Sequence, residues 1–257
     1  IMKNSVSLLF MVALIACTQC SGDKMITITS ASENAKNYYD EALTAYQDVY
    51  YTRYLNMMVK AIEADPEFFM ANYKLAMYSI YAGDRQMFRQ YGNRADKCKA
   101  ILSKGEIIMK DALTQLLKRE DSDVRDIGKR LVKMFPADEE AYLELYYYQD
   151  IVKDYRGQKE TLEKALKVAH NPAYIYNMLG YVYMSLNKKD EAAKAIDKYI
   201  ELEPSLPNPY DTKGDYYMFI KDYRNAYNAF IKANSIDSTF SMAKAMKAKH
   251  LADSLGL

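Results

Sequence analysis

Residues 173–206 read AYIYNMLGYVYMSLNKKDEAAKAIDKYIELEPSL. Apolar residues recur three and four apart on both sides of Asn187-Lys188-Lys189-Asp190, so the stretch reads as two amphipathic helices joined by a short turn. Glu203-Pro204 closes the second helix, because the residue before a proline is biased away from helix. The pattern has a fixed beat. Tyr142, Tyr176 and Tyr210 stand 34 residues apart, as do Leu162, Ile196 and Phe230. Ala165, Tyr199 and Ala233 keep the same period, and so do Tyr146, Gly180 and Gly214. A period of this length marks a stack of like supersecondary units. Each unit is too small to bury its apolar face alone, so neighbours must pack on one another.

Within 173–206, Tyr176, Leu179-Gly180, Tyr183, Ala192, Ile196 and Pro204 follow the pattern W-x2-L-G-x2-Y…A-x3-F…P, with Tyr in the Trp place and Ile in the Phe place. The stretch resembles the tetratricopeptide repeat family. Residues 207–240 keep Tyr210, Gly214, Tyr217, Ala226, Phe230 and Ala233, and depart at Lys213 and Ser238. Residues 139–172 keep Tyr142, Leu145, Leu162 and Ala165, but have Tyr146 and Gln158 where small residues are usual. The match thins upstream, over 105–138, 69–104 and 35–68, and the middle one of these is two residues too long. The resemblance implies an all-α fold, an α-solenoid wound as a right-handed superhelix of about six helical hairpins. Residues 241–257, with Lys244, Lys247, Lys249 and Asp253 among apolar positions, read as a C-terminal capping helix. Gly180 and Gly214 are expected where the two helices of a hairpin touch, with Ala192 and Ala226 opposite them.

Only 9 Gly and 6 Pro in 257 residues fit long helices rather than a turn-dense β fold. Charge is balanced, with 35 Lys and Arg against 34 Asp and Glu, so no net field draws the chain to nucleic acid. Residues 1–16 read as a secretion signal, with Lys3 ahead of the apolar run Leu8 to Ala16, which is too short to span a bilayer. Leu14-Ile15-Ala16-Cys17 resembles a bacterial lipobox, which implies lipidation of Cys17. The expected membrane association is through that N-terminal lipid alone, in a bacterial cell envelope, on the outer membrane where there is one. Residues 17–34 are small and polar and read as a flexible tether, followed by a repeat domain over 35–257. Cys98 is read as a small buried hydrophobe in a helical segment.

Catalytic signatures are missing from the sequence. It has 2 His, His170 and His250, neither at metal-ligand spacing, and no Gly-rich phosphate loop. No catalytic residue, metal site or cofactor is expected. The resemblance instead implies a concave groove lined by the first helix of each unit. On one face of those helices lie Glu140, Leu143, Tyr147 and Asp150, then Tyr174, Asn177, Tyr181 and Met184, then Asn208, Asp211, Asp215 and Met218. The expected binding residues are Tyr147, Asp150, Tyr174, Asn177, Tyr181, Met184, Asp211, Asp215 and Met218. Without Lys or Arg on this stripe, the expected partner is a protein or extended peptide that is neutral or basic. The 25 Tyr and 15 Met suit such a surface, since both bury area with adaptable contacts. The rival expectations are a glycan or small-ligand site built on the tyrosines, or a structural component of envelope assembly.

Overall fold

The structure, a computed structural model, describes residues 25–256. The described residues form thirteen α-helices and no strand. They are α1 (Glu33–Gln47), α2 (Tyr51–Ala64), α3 (Phe69–Ala82), α4 (Arg85–Asp96), α5 (Lys104–Lys118), α6 (Arg125–Met134), α7 (Glu139–Ile151), α8 (Tyr155–Ala165), α9 (Pro172–Ser185), α10 (Lys189–Leu202), α11 (Asn208–Phe219), α12 (Tyr223–Ile236) and α13 (Met242–Ser254). Consecutive helices pack as six hairpins, from α1 with α2 to α11 with α12, and α13 lies on α12. This is the α-solenoid with a C-terminal cap that the period led us to expect.

Three of the six turns inside the hairpins share one local logic. A residue in the left-handed region stops the first helix, and the next residue caps the second. Gly83 (φ 70°), Lys153 (φ 55°) and Lys221 (φ 65°) make the turn. Asp84, Asp154 and Asp222 then accept from the N–H groups of Met87, Gly157 and Asn225 at 2.9, 3.0 and 3.2 Å. Such caps satisfy an orphan donor and place negative charge at the positive end of the helix. Asn187 turns likewise, at φ 55°, but Lys188 after it makes no side-chain cap.

Close packing of the regular hairpins depends on their glycines. A Cβ on Gly214 would lie 2.3 Å from the Phe230 ring, and one on Gly180 would lie 2.8 Å from Ile196. Ala192 and Ala226 are fully buried. The eroded stretch 69–138 also forms two hairpins, with longer connections at 97–103 and 119–124. Cys98 lies in the first of these and not in a helix. It is half-buried, and its thiol donates to the Glu67 carbonyl at 3.0 Å. The expectation of a buried helical residue is therefore corrected, because α4 stops at Asp96 ahead of it.

The tether reading needs a second correction. Residues 1–24, including the signal segment and Cys17, lie outside the described residues, but residues 26–31 lie against the body as a strap. The Ile26 N–H donates to Asp138 Oδ2 at 2.6 Å. The Thr29 N–H and Oγ1 donate to Glu106 at 2.9 and 2.7 Å. Ser30 Oγ and the Ala31 N–H donate to Asp65 Oδ2 at 2.6 and 3.0 Å. Ile26 is buried and fills the space left by the missing side chain of Gly105. Three carboxylates at helix ends thus anchor a segment whose own composition is that of a linker. The folded body begins before residue 35, since α1 starts at Glu33 on a Ser32 cap.

The array also closes on itself. Asn171 Nδ2, at the start of α9, donates to Gln47 Oε1 at the end of α1, 2.9 Å away. The Tyr46 and Tyr174 rings meet at 6.2 Å, and Tyr50 meets Phe240 at 5.7 Å. The first hairpin therefore touches the fifth hairpin and the turn before α13. One large core runs from the first hairpin to α7 through Tyr39, Phe68, Tyr73, Phe88 and Tyr148, while the regular units keep smaller cores of their own.

Candidate functional site

The face of α7 and α9 that looks toward the first two hairpins is a wall of tyrosines. Tyr46 on α1 lies 4.9 Å from Tyr54 and 6.4 Å from Tyr78 between ring centres, and Tyr54 lies 5.3 Å from Tyr78. These separations suit tilted and edge-on aromatic pairs. Across the gap, the Tyr147 and Tyr174 hydroxyls share a hydrogen bond of 2.8 Å. The Tyr81 ring packs 5.5 Å from Tyr147 and its hydroxyl donates to the Tyr147 carbonyl. Between the two sides lies a cavity of about 50 Å³, lined by Tyr46, Tyr54, Tyr78, Tyr147 and Tyr174 with Lys74 and Glu140 at its polar end.

That polar end is a charge cluster. Lys74 Nζ is 2.7 Å from Glu144 Oε1 and also contacts Glu140. Tyr73 donates to Glu144, and its hydroxyl lies 2.7 Å from that of Tyr148. Two carboxylates thus share one ammonium. Burial pushes the Glu140 carboxyl up to about 8, with Lys74 pulling it down and Glu144 adding to the rise. Glu140 keeps about a fifth of its side-chain surface open (20%), so this burial is enclosure by surrounding protein and not complete loss of access. Burial works against the Lys74 ammonium, but Glu140 and Glu144 outweigh it and hold its pKa well above the usual range.

The expected groove residues fall into three groups. Tyr147 and Tyr174 line the cavity. Tyr181 and Asp215 lie at the surface and bond to each other at 2.8 Å. The remaining five are occupied by the fold and correct the expectation of a free stripe. Asp150 accepts from Gln158 Nε2 at 2.9 Å, because Gln158 replaces the usual small residue and brings a buried amide that needs a partner. Asn177 is buried and accepts from Thr212 Oγ1 at 2.9 Å, tying α9 to α11. Met184 packs on the Ala192, Ile196 and Tyr216 cluster, and Met218 on Ala226 and Phe230. Asp211 is buried and is held by Ser241 and Lys244. Lys244 also reaches Asp215 at 2.8 Å. The acids of the last unit are thus largely neutralised by the capping helix.

Sequence reasoning missed Tyr46, Tyr54, Lys74, Tyr78 and Tyr81. Their contribution depends on closure between units far apart in the chain, which a period of 34 residues does not encode. Among the described residues no group of three or more His, Cys, Asp or Glu is placed to hold a metal ion. No helix of the described residues is long and apolar enough to cross a membrane.

Residues 173–206 and 208–240 match the tetratricopeptide repeat family. They coincide with the two hairpins α9–α10 and α11–α12, where the beat is most regular. Over 135 residues, 52% of its length, the chain is 27% identical to anaphase-promoting complex subunit 3 of Schizosaccharomyces pombe, and the match takes in 20% of that relative. Among solved structures, a thermophilic tetratricopeptide protein of Thermus thermophilus is similar over 87% of this chain and 100% of its own, at 17% identity and a TM-score of 0.42. YrrB, described as a tetratricopeptide protein with an unusual peptide-binding site, is similar over 75% and 97%, at 15% identity and a TM-score of 0.48. The Cut9–Hcn1 hetero-tetramer is similar over 84% and 42%, at 16% identity and a TM-score of 0.49. The family that matches is a helical repeat and not an enzyme family.

Proposed function

We propose that this protein is an interaction scaffold whose concave face takes an extended, neutral or basic segment of another protein. The carrying observation is the composition of that face. Its tyrosines present flat, rigid area, and Lys74 and Lys244 are each held between two carboxylates. Rings of this kind bury area at little cost in side-chain freedom, which is why they are enriched at interfaces. Tyr181, with 39% of its surface exposed beside Asp215, and Tyr81, equally exposed, mark the accessible rim. Crosslinking in the parent cells followed by capture of the full chain tests this reading. Partners captured by the native protein should be lost or much reduced with Tyr181→Ala combined with Asp215→Lys. An unchanged set of partners rejects the concave face as the docking surface, and the absence of any partner rejects the scaffold reading.

We infer that the scaffold is held at a bacterial envelope through Cys17. The support is the apolar run Leu8 to Ala16 followed by Leu14-Ile15-Ala16-Cys17. Several acyl chains on one cysteine anchor far more firmly than one. Labelled palmitate should enter the native protein in cells and fail to enter Cys17→Ser. Equal labelling of the two discards the anchor.

A further inference from the structure

We propose that the tyrosine-lined cavity between the first two hairpins and α7 receives the cationic head of one lysine or arginine side chain from the docked segment. The inference rests on the scaffold reading above and names what that scaffold recognises.

Size comes first. At about 50 Å³ the cavity has room for more than a single water and suits a small cationic head, an ammonium or a guanidinium. Chemistry comes second. Tyr46, Tyr54 and Tyr78 on one side and Tyr147 and Tyr174 on the other offer ring surface and hydroxyl oxygens to a cation. Cation–π attraction is strongest where water is excluded. The site already supports one such contact, with Lys74 Nζ 6.0 Å from the Tyr147 ring centre.

Charge comes third. The cluster at the cavity floor holds two carboxylates, Glu140 and Glu144, against the single ammonium of Lys74. An added anion would make the imbalance worse, and an added cation would cancel it. The free protein balances the excess by keeping a proton on Glu140, whose carboxyl stands at about 8. The groups facing Glu140 are Lys74 from α3 and Glu144 on its own helix, with Tyr39 of α1 and Tyr54 of α2 nearby. An incoming cation favours the ionised carboxylate, so binding near neutral pH must release a proton to the buffer. That release distinguishes a cation site from a merely aromatic pocket.

The test uses the full folded chain and acetylated, amidated pentapeptides of Gly and Ser with Lys, Arg, Gln or Glu at the centre. Calorimetry is run in two buffers of different ionisation enthalpy. The Lys or Arg peptide should bind about tenfold more tightly than the Gln peptide, the Glu peptide should bind least, and the buffer dependence should show proton release. Glu140→Gln should abolish both the preference and the proton release. Tyr78→Leu, which leaves the charge cluster intact, should weaken the Lys peptide by about the same factor. Lys249→Ala, on the exposed side of α13, should leave the preference unchanged. Helix content by circular dichroism verifies that each variant folds. Equal binding of the Lys and Gln peptides, or no binding of any peptide, overturns the inference. Partners captured in cells that survive Glu140→Gln overturn it too, while leaving the scaffold reading standing.

Discussion

Glu140 keeps its proton into the neutral range because it is enclosed beside Glu144, and Lys74 cannot serve both carboxylates fully. The consequence for stability has a definite sign. In the unfolded chain Glu140 ionises near 4.5, whereas in the fold it holds the proton up to about 8. Its contribution is therefore complete below about pH 4.5 and is lost as pH rises through about 8. Urea midpoints should fall between about pH 5 and about pH 9, and Glu140→Gln should flatten that decline. Backbone and packing give two further residue-level expectations. Lys221 is exposed and held at φ 65°, a region that costs an L residue about 1–2 kcal/mol. Lys221→Gly should therefore stabilise by about 0.5–1 kcal/mol, once the extra freedom of glycine in the unfolded chain is subtracted. Gly214→Ala runs the other way. Its methyl would meet the Phe230 ring at 2.3 Å, and an overpacking cost of about 1–3 kcal/mol outweighs the gain in helix propensity. Thermal unfolding of both variants settles the signs.

At the scale of elements, α13 does two jobs. It covers Ala226 and Phe230 with Ala245 and Ala248, and it brings Lys244 to Asp211 and Asp215. Ending the chain before Ser241 should expose Phe230, lose on the order of 1.5–3 kcal/mol for that ring alone and lower the melting temperature by several degrees. Lys244→Met should cost far less, about 1 kcal/mol or below, because Lys244 is 46% exposed and water screens the pair. The regular hairpins were legible in the sequence because their determinants are local. The Gly180 and Gly214 contacts, the Asp222 cap and the break at Pro204 all act within one unit. The strap at 26–31 was not legible, because nothing in Ile26, Thr29 or Ser30 reports that Asp138, Glu106 and Asp65 wait for their donors. Asp211 and Asp215 looked like free groove charges for the same reason. Their partner Lys244 lies about one repeat further along, on a helix whose packing direction the period does not fix.

At the scale of the molecule, Tyr46, Gln47 and Tyr50 of the first hairpin touch Tyr174, Asn171 and Phe240 far along the chain. A plain stack of repeats touches only its neighbours, and its curvature follows from small rotations per unit. Here a second set of contacts bridges the ends. Tyr46→Ala combined with Tyr50→Ala should increase the radius of gyration measured by small-angle X-ray scattering while leaving helix content unchanged. An unaltered profile would show that curvature is set by neighbour packing alone. The strap gives the molecule a mechanical character as well. Any tension on the chain ahead of residue 26 does not peel α1 away first. It enters through three hydrogen-bonded points, at Asp138, Glu106 and Asp65, which belong to the fourth hairpin, the third hairpin and the turn after the first. A pull at the leading end must break the bond at Asp138, then those at Glu106, then those at Asp65, before it reaches α1, so the strap acts as a latch in series ahead of the first helix.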